Sequence, residues 1–206
     1  MGARPRDLTI VKLGGSHALE PYLKDWLAAL ATCGGRAVIV PGGGPLADRV
    51  REMQAIMGFD DRAAHHMALL AMEQFGAAIG GLEPGVVQAA SLAAIDQALR
   101  RARVPVWMPV RMALAAADLP PSWDVTSDSL AAWLAGRLGA KRVMLVKHGA
   151  PYGRRPDIDG LTARGIVDPL FAHYLSGSRA EASFAGPADA AWAAKWICAT
   201  SRLDLP

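Results

Sequence analysis

The sequence predicts an α/β fold in which a mainly parallel sheet lies between layers of helices. Short apolar runs, rich in β-branched residues, alternate with longer segments whose apolar residues recur at helical spacing. The strand-like runs are short and too apolar for a half-exposed sheet, which is typical of parallel strands buried on both faces. With 206 residues, 52% of them hydrophobic, the chain is long enough to bury this core as a single domain.

The first half of the chain supplies four strands and most of the long helices. The predicted strands are Leu8–Lys12, Arg36–Val40, Val86–Ala90 and Val104–Met108. Helical spacing covers residues 19–30, 46–57, 64–81 and 91–102, with a short helical piece at 112–116. Asp60 or Asp61 is expected to cap the third of these helices, because a short acidic side chain accepts hydrogen bonds from free N–H groups.

The second half is expected to continue the alternation with one strand. A helix follows residues 124–129 and ends at Gly139, and Val143–Lys147 is the next strand. Residues 148–160 are polar with Gly and Pro and predict a loop. Two further helices are predicted at Asp168–Leu175 and Pro187–Thr200.

Two glycine turns carry the functional prediction. Gly14 and Gly15 follow the first strand, and Gly42, Gly43 and Gly44 follow the second. A glycine turn between a strand and a helix leaves backbone N–H groups free at the positive end of the helix dipole, where they bind anions. Neither turn matches the Walker A or dinucleotide-binding pattern. The pair therefore predicts a phosphoryl-transfer site with donor and acceptor in line.

Several polar side chains near these turns are candidates for the chemistry. Lys12 would neutralise the transferring phosphoryl group, and Lys147 would reach the nucleotide phosphates, together with Arg154 and Arg155. Asp128 can orient Lys12, reach Mg²⁺ through water, or only cap its helix. Other polar candidates also have open roles: Ser16 can cap a helix or bind phosphate, and Asp124 can cap the same helix as Asp128. His65 and His66 are adjacent, so they face different sides of their helix, and one of them can touch a ligand.

Composition excludes several function classes. The net charge of +3 comes from scattered arginines, which is unlike the long basic stripes of nucleic-acid-binding proteins. No run approaches the ~18 apolar residues of a membrane span, and the first seven residues hold no apolar signal core. Cys33 and Cys198 lack metal-ligand spacing, which argues against zinc or a disulfide framework. We therefore expect a cytoplasmic protein with no protein-held metal. The apolar helix at residues 62–79 suggests a homo-oligomer.

In their order and spacing, residues 11–16, 40–45, 124–129 and 143–147 resemble the amino acid kinase superfamily. The resemblance implies a three-layer α/β/α sandwich that uses ATP and Mg²⁺. Residues 1–120 would bind the acceptor and residues 121–206 the nucleotide. It also makes Lys12 and Asp128 catalytic, with Asp128 organising the lysine. Gly14, Gly15, Ser16 and Lys147 would then contact the ATP phosphates.

The second glycine turn, followed by residues 64–76, resembles a small branch of that superfamily. The branch includes (aminomethyl)furanmethanol-phosphate kinases of methanofuran synthesis, which move the γ-phosphoryl of ATP onto a phosphate monoester to give a diphosphate. Gly42, Gly43, Gly44 and His66 would then bind the acceptor. Phe59, Met67, Met72 and Glu73 are candidates for the walls around a furan ring and its amine.

This chain departs from the superfamily at two points. His148 stands where many relatives carry Asp, and a second conserved lysine has no clear counterpart. Lys147 or an arginine of the 154–155 pair would substitute for it, or the nucleotide half has weakened. Two alternatives therefore stay open. One is a kinase for another small acceptor, such as a carboxylate, isopentenyl phosphate or a nucleoside monophosphate. The other is a non-catalytic nucleotide- or oxyanion-binding protein on this fold.

Overall fold

The structure, a computed structural model, describes residues 7–17, 20–149 and 156–199. Within these residues six parallel strands form one sheet in the order β3-β4-β2-β1-β5-β6. The strands are β1 (Thr9–Leu13), β2 (Ala37–Pro41), β3 (Val86–Ala89), β4 (Val104–Trp107), β5 (Arg142–Val146) and β6 (Glu181–Ala185). The prediction of a parallel sheet is confirmed, and β6 is an additional edge strand that the sequence did not reveal.

Nine α-helices are present in the described residues, and their bounds agree with most of the predicted segments. They are α1 (Leu23–Ala31), α2 (Gly44–Met57), α3 (Asp61–Leu82), α4 (Leu92–Arg100), α5 (Val110–Leu114), α6 (Ser127–Leu138), α7 (Ile158–Ala163), α8 (Phe171–Ser178) and α9 (Ala190–Cys198). Asp60 caps α3 by accepting a hydrogen bond from the Ala63 N–H group at 2.8 Å. Helix α7 begins in a segment predicted to be a loop, and residues 150–155 of that loop fall outside the described part.

Helices cover both faces of the sheet, so the chain forms three layers. Alternate residues of β1 point to opposite faces: Ile10 packs in one apolar cluster and Val11 in the other. The first cluster joins the strands to α4, α6 and α8, and the second joins them to α1 and α9. Helix α3 contributes to both clusters, through Leu69 and Phe75. None of the described helices is both long and apolar enough to cross a membrane.

The two cysteines meet although 165 residues separate them in the chain. Cys33 follows α1 and Cys198 ends α9, and their Sγ atoms lie 3.1 Å apart as free thiols. Burial, followed by the contact with Cys198, raises the pKa of Cys33 to about 12. The pair therefore packs α9 against α1, a contact that sequence spacing gave no reason to expect.

Candidate active site

The register of the sheet brings the predicted site residues to one edge. β1 is the central strand of the site, paired with β2 on one side and β5 on the other. Leu13 lies opposite both Pro41 and Val146, so all three strands end at the same level. Lys12, the second glycine turn and Lys147 therefore meet at the carboxyl edge, where open α/β sheets bind their ligands.

The two glycine turns pack directly against each other. A Cβ atom on Gly15 would overlap the Gly44 nitrogen, and one on Gly44 would lie 2.5 Å from the Gly15 oxygen. Gly44 also has a φ of +54°, which is a left-handed conformation that favours glycine. The Gly42 N–H group donates to the Leu13 oxygen at 2.8 Å. The turns thus form one continuous backbone surface at the start of α2.

Asp128 lies between the two lysines. Its Oδ1 is 2.9 Å from Lys12 Nζ, and its Oδ2 accepts a hydrogen bond from Lys147 Nζ at 2.5 Å. Lys147 also donates to the Ile166 oxygen at 2.7 Å. The carboxylate is only 3% exposed, so the two ammonium groups are held by a charge that is shielded from water.

The electrostatics of this cluster follow from burial and from the two positive charges. Burial alone would raise the pKa of Asp128, but Lys12 and then Lys147 reverse that effect and leave its pKa below the ordinary value. Burial, followed by repulsion from Lys12, lowers the pKa of Lys147, and Asp128 opposes this shift. The cluster carries one negative and two positive charges when all three groups are ionised. It therefore keeps a net positive charge that favours an anionic ligand.

A second buried carboxylate fixes the helix that carries Asp128. Thr126 occupies the N-cap position of α6 and makes no cap hydrogen bond with its own side chain. Asp168 Oδ2 instead accepts from the backbone N–H groups of Thr126 and Ser129, at 2.9 and 3.0 Å. The hydroxyl groups of Thr126 and Ser129 also donate to Asp168. Asp168 thus caps α6 from a distant part of the chain and sets the position of Asp128.

Two cavities open beside Lys12, and Lys12, Gly14 and Ser16 line both of them. The first has a volume of about 250 Å³, and we call it the two-lysine cavity. Its other lining residues are Val146, Lys147, His148 and Ile166. The second has a volume of about 240 Å³, and we call it the Trp123 cavity. Its other lining residues are Gly15, Gly43, Gly44, Ala47, Asp48, Arg51, His65, Ala68, Leu69, Met72, Trp123, Val125, Thr126, Ser127 and Leu130.

Two helices present matching faces to the Trp123 cavity. Gly44, Ala47, Asp48 and Arg51 of α2 follow the spacing i, i+3, i+4 and i+7, so they share one side of that helix. Residues 65, 68, 69 and 72 of α3 follow the same spacing and are apolar except for His65. The cavity therefore has a charged wall on α2 and a mainly apolar wall on α3.

Of the adjacent histidines, His65 lines the Trp123 cavity, while His66 is exposed and lies outside the lining of both cavities. His65 is 7% exposed, and in the described part of the chain its buried Nε2 has no hydrogen-bond partner. Burial, followed by the charge of His66, lowers the pKa of His65, which favours a neutral ring. Buried polar atoms normally have a hydrogen-bond partner, and a ligand in the adjoining cavity would supply one for His65. Sequence reasoning could not choose between the two histidines, because the phase of the helix was unknown.

The other residues predicted to form walls around the acceptor also differ in whether they line the Trp123 cavity. Met72 lines the Trp123 cavity, whereas Met67 and Phe59 are absent from its lining. Glu73 is engaged elsewhere, since its Oε1 accepts a hydrogen bond from the Val110 N–H group at 2.9 Å. Asp124 is exposed. Arg154 and Arg155 fall outside the described residues.

The described residues contain no cluster of three or more His, Cys, Asp or Glu side chains that would hold a metal ion. Both oxygens of Asp128 are engaged by lysines. Within the part of the chain that the structure describes, the side chains therefore do not fit a protein-held Mg²⁺.

Comparisons with known proteins agree with this fold. A uridylate kinase from Archaeoglobus fulgidus superposes with a TM-score of 0.66 at 16% identity, covering 92% of this chain and 95% of that one. A UMP kinase from Ureaplasma parvum gives 0.66 at 13% identity, with 88% and 90% covered. These two structures support the fold prediction, a three-layer sandwich on a parallel sheet.

A curated relative is 26% identical over 155 residues, which is 74% of this chain and 67% of the relative. It is the [5-(aminomethyl)furan-3-yl]methyl phosphate kinase of Methanocaldococcus jannaschii. The sequence profile of the "Amino acid kinase family" matches residues 7–149, which is more than half of the chain. The sequence-based family prediction is thereby confirmed: this protein belongs to the amino acid kinase family and is a phosphotransferase.

Proposed function

We propose that this kinase transfers the γ-phosphoryl group of ATP to a small phosphate monoester, [5-(aminomethyl)furan-3-yl]methyl phosphate, and gives the diphosphate. The observation that carries the proposal is the position of Lys12, which lines both cavities beside the packed glycine turns. A cation at this point can neutralise charge on a phosphoryl group that passes from one cavity to the other. The curated relative from Methanocaldococcus jannaschii supports this choice of acceptor.

In this proposal the two-lysine cavity receives the ATP phosphates. Lys147 and Lys12 would neutralise them, and the backbone and side chain of residues 14–16 would donate hydrogen bonds. Asp128 would hold both ammonium groups at fixed positions while ATP binds and ADP leaves. Lys147 would thereby serve as the second cation for which the sequence offered no family counterpart.

The Trp123 cavity would receive the acceptor. Gly43 and Gly44 line it at the start of α2, where the N–H groups of the second glycine turn and the helix dipole favour the acceptor phosphate. Here we replace the exposed His66 by His65 as the histidine that contacts that phosphate. Met72 and Leu69 would pack against the furan ring. The acceptor half of the site would thus be built from residues before 80 and from the 123–130 segment.

The transfer itself needs few protein groups. An oxygen of the acceptor phosphate would form a bond to the γ-phosphorus, while the bond from that phosphorus to the β–γ bridging oxygen breaks. The electron pair of that bond would leave with ADP. Both reactants are anionic, so their approach requires fixed positive charge. Lys12 and the N–H groups of the glycine turns would supply this charge without moving.

This proposal assigns the chain to methanofuran- or methylofuran-type cofactor synthesis in one-carbon metabolism. A homo-oligomer also remains a prediction, and it is supported by exposed apolar side chains such as Ile56 and Met57 at the end of α2 and Leu70 on α3. Light scattering of the purified protein at several concentrations would measure its mass directly.

The test is an assay of ADP release with MgATP and a panel of acceptors. The panel contains the aminomethylfuran phosphate, isopentenyl phosphate, UMP and N-acetylglutamate, and phosphorus NMR identifies the product. We expect a diphosphate from the furan phosphate at a kcat/KM well above that of every other acceptor. A higher kcat/KM with another member would replace the acceptor that we propose and leave the kinase family unchanged.

A further inference from the structure

The charged wall of the Trp123 cavity contains a carboxylate where an anion-binding site would be expected to hold only cations and dipoles. Asp48 lines this cavity on the same side of α2 as Gly44, which belongs to the glycine turn. Asp48 is four positions after Gly44, so it lies about 6 Å further along the helix axis. A purely anionic acceptor held at the turn would be repelled by this charge.

The neighbours of Asp48 leave it available to a ligand. Arg51 Nη1 is 3.5 Å from Asp48 Oδ1, and the Arg51 guanidinium stacks over the Trp123 ring at 4.3 Å from its centroid. By contrast, Glu52 on the same helix accepts a hydrogen bond from Arg49 Nη1 at 2.6 Å. Asp48 therefore has a loose partner that is held by an aromatic ring, whereas Glu52 has a close one.

The indole that holds Arg51 is itself fixed. Trp123 Nε1 donates a hydrogen bond to Gln54 Oε1 at 2.7 Å, and Gln54 Nε2 donates to Asp61 Oδ1 at 2.8 Å. Gln54 of α2 thus holds the indole and is itself tied to α3 through Asp61. Arg51 is stacked on this ring. Of the two charged side chains of α2 that line the cavity, Asp48 is therefore the one nearer to the glycine turn.

We propose that Asp48 binds a cationic amine of the acceptor, so that this site selects phosphate monoesters that also carry an ammonium group. This inference rests on the proposed function and deepens it. The glycine turn would hold the phosphate at the start of α2, and Asp48 would pair with the amine one helical turn away. The carboxylate would then favour the amine-bearing acceptor and disfavour the same molecule without its positive charge.

The test uses two acceptors that differ only at the amine. They are the aminomethylfuran phosphate and the corresponding hydroxymethylfuran phosphate, each assayed for kcat/KM and for binding by calorimetry without ATP. The Asp48 side chain is 68% exposed, so in Asp48→Asn we expect kcat/KM for the amine acceptor to fall by about threefold to fivefold, as for loss of an exposed ion pair. We expect the value for the hydroxymethyl acceptor to stay within about twofold, because a hydroxyl carries no charge and can donate its hydrogen bond to the asparagine oxygen instead.

The matched control is Glu52→Gln, which removes a carboxylate from the same helix outside the cavity lining. It should leave both acceptors unchanged. A wild-type enzyme that uses both acceptors equally well, or Asp48→Asn that loses both in parallel, overturns the inference and leaves the proposed function intact. A wild-type enzyme that neither binds nor phosphorylates either acceptor overturns the proposed function and this inference with it.

Discussion

The two cavities that share Lys12 differ in what surrounds its ammonium group. In the two-lysine cavity a second ammonium, that of Lys147, lies on the same buried carboxylate. In the Trp123 cavity the additional groups are His65, whose pKa is lowered by burial, an apolar helix face, and the charged pair of Asp48 and Arg51. The two-lysine cavity thus concentrates positive charge, which suits a polyphosphate. The Trp123 cavity combines charged side chains with an apolar wall. Substitutions that affect one side only will test this division.

The largest expected effect is on Lys12, whose charge lies beside both cavities. Lys12→Ala should lower kcat by about a hundredfold or more, as for loss of a transition-state electrostatic group. The fold should survive, since Lys12 lies near the end of a strand whose apolar neighbours remain. Steady-state kinetics and circular dichroism measure both outcomes. Lys24→Ala, an exposed lysine of α1, is the matched control. An unchanged kcat would remove Lys12 from the mechanism.

Asp128 should give the next largest effect, because it fixes both lysines at once. Asp128→Asn should lower kcat by up to about a hundredfold, which is the cost of a misplaced catalytic group. The control is Asp124→Asn, an exposed carboxylate shortly before α6. If the rate of Asp128→Asn equals that of the control, Asp128 does not organise the lysines.

The substitution Asp128→Asn should also change how the stability of the fold depends on pH. The pKa of Asp128 is lowered in the folded state, so its ionisation stabilises the fold above the unfolded value of about 3.9. That contribution is lost as the pH falls through the lower folded value. Urea unfolding from pH 6 downward should show a smaller loss of unfolding free energy in Asp128→Asn than in the wild type. Parallel curves would contradict the assigned shift.

Two variants, one in each cavity, test whether the two cavities bind different substrates. Lys147→Ala should raise the KM for ATP by about tenfold, the effect of one charged hydrogen bond, with little change for the acceptor. His65→Leu should raise the acceptor KM by a few-fold to about tenfold, as expected for one neutral hydrogen bond, with little change for ATP. If either variant raises both KM values equally, the two cavities are not separate substrate sites.

The smallest effect on catalysis is expected at Asp168, which lines neither cavity. Asp168→Asn keeps the size of the side chain but weakens the cap on α6, so the unfolding free energy should fall by about 1–3 kcal/mol. The rate should change less than in Asp128→Asn. Asp159→Asn on α7 is the exposed control, and thermal and urea unfolding measure the difference. Equal stability of both variants would remove Asp168 as the cap of α6.

Local patterns were sufficient to predict most of the fold and the centre of the site. Buried strands such as β1 and β2 are mostly apolar runs, and each is followed at once by a cluster of glycines that marks a turn. Strand β6 escaped prediction because Glu181–Ala185 contains no β-branched residue and lies at the sheet edge. Helix α7 was missed because its six residues follow a polar segment rich in Gly and Pro.

What the sequence could not supply were contacts between distant segments. Asp168 was interpreted only as the start of a helix, because its partners Thr126 and Ser129 lie 42 and 39 residues away. Sequence alone left Lys147 and the 154–155 arginines as alternatives for the second cation, and only the register that pairs β5 with β1 brings Lys147 beside Lys12. Similarly, the choice of His65 over His66 depends on the rotation of α3 about its axis, which the tertiary packing sets.

The interlocked glycine turns have a consequence for how this enzyme can diversify. Because Gly15 and Gly44 touch through their backbones, neither position tolerates a side chain without displacing the other. The two glycine turns, which we propose to bind phosphate, are thus constrained together. Side chains at positions 48, 51, 68 and 72 face the Trp123 cavity from helices that carry no such restriction. New acceptor preferences can therefore evolve, or be engineered, by exchanging these side chains while the transfer chemistry is inherited unchanged.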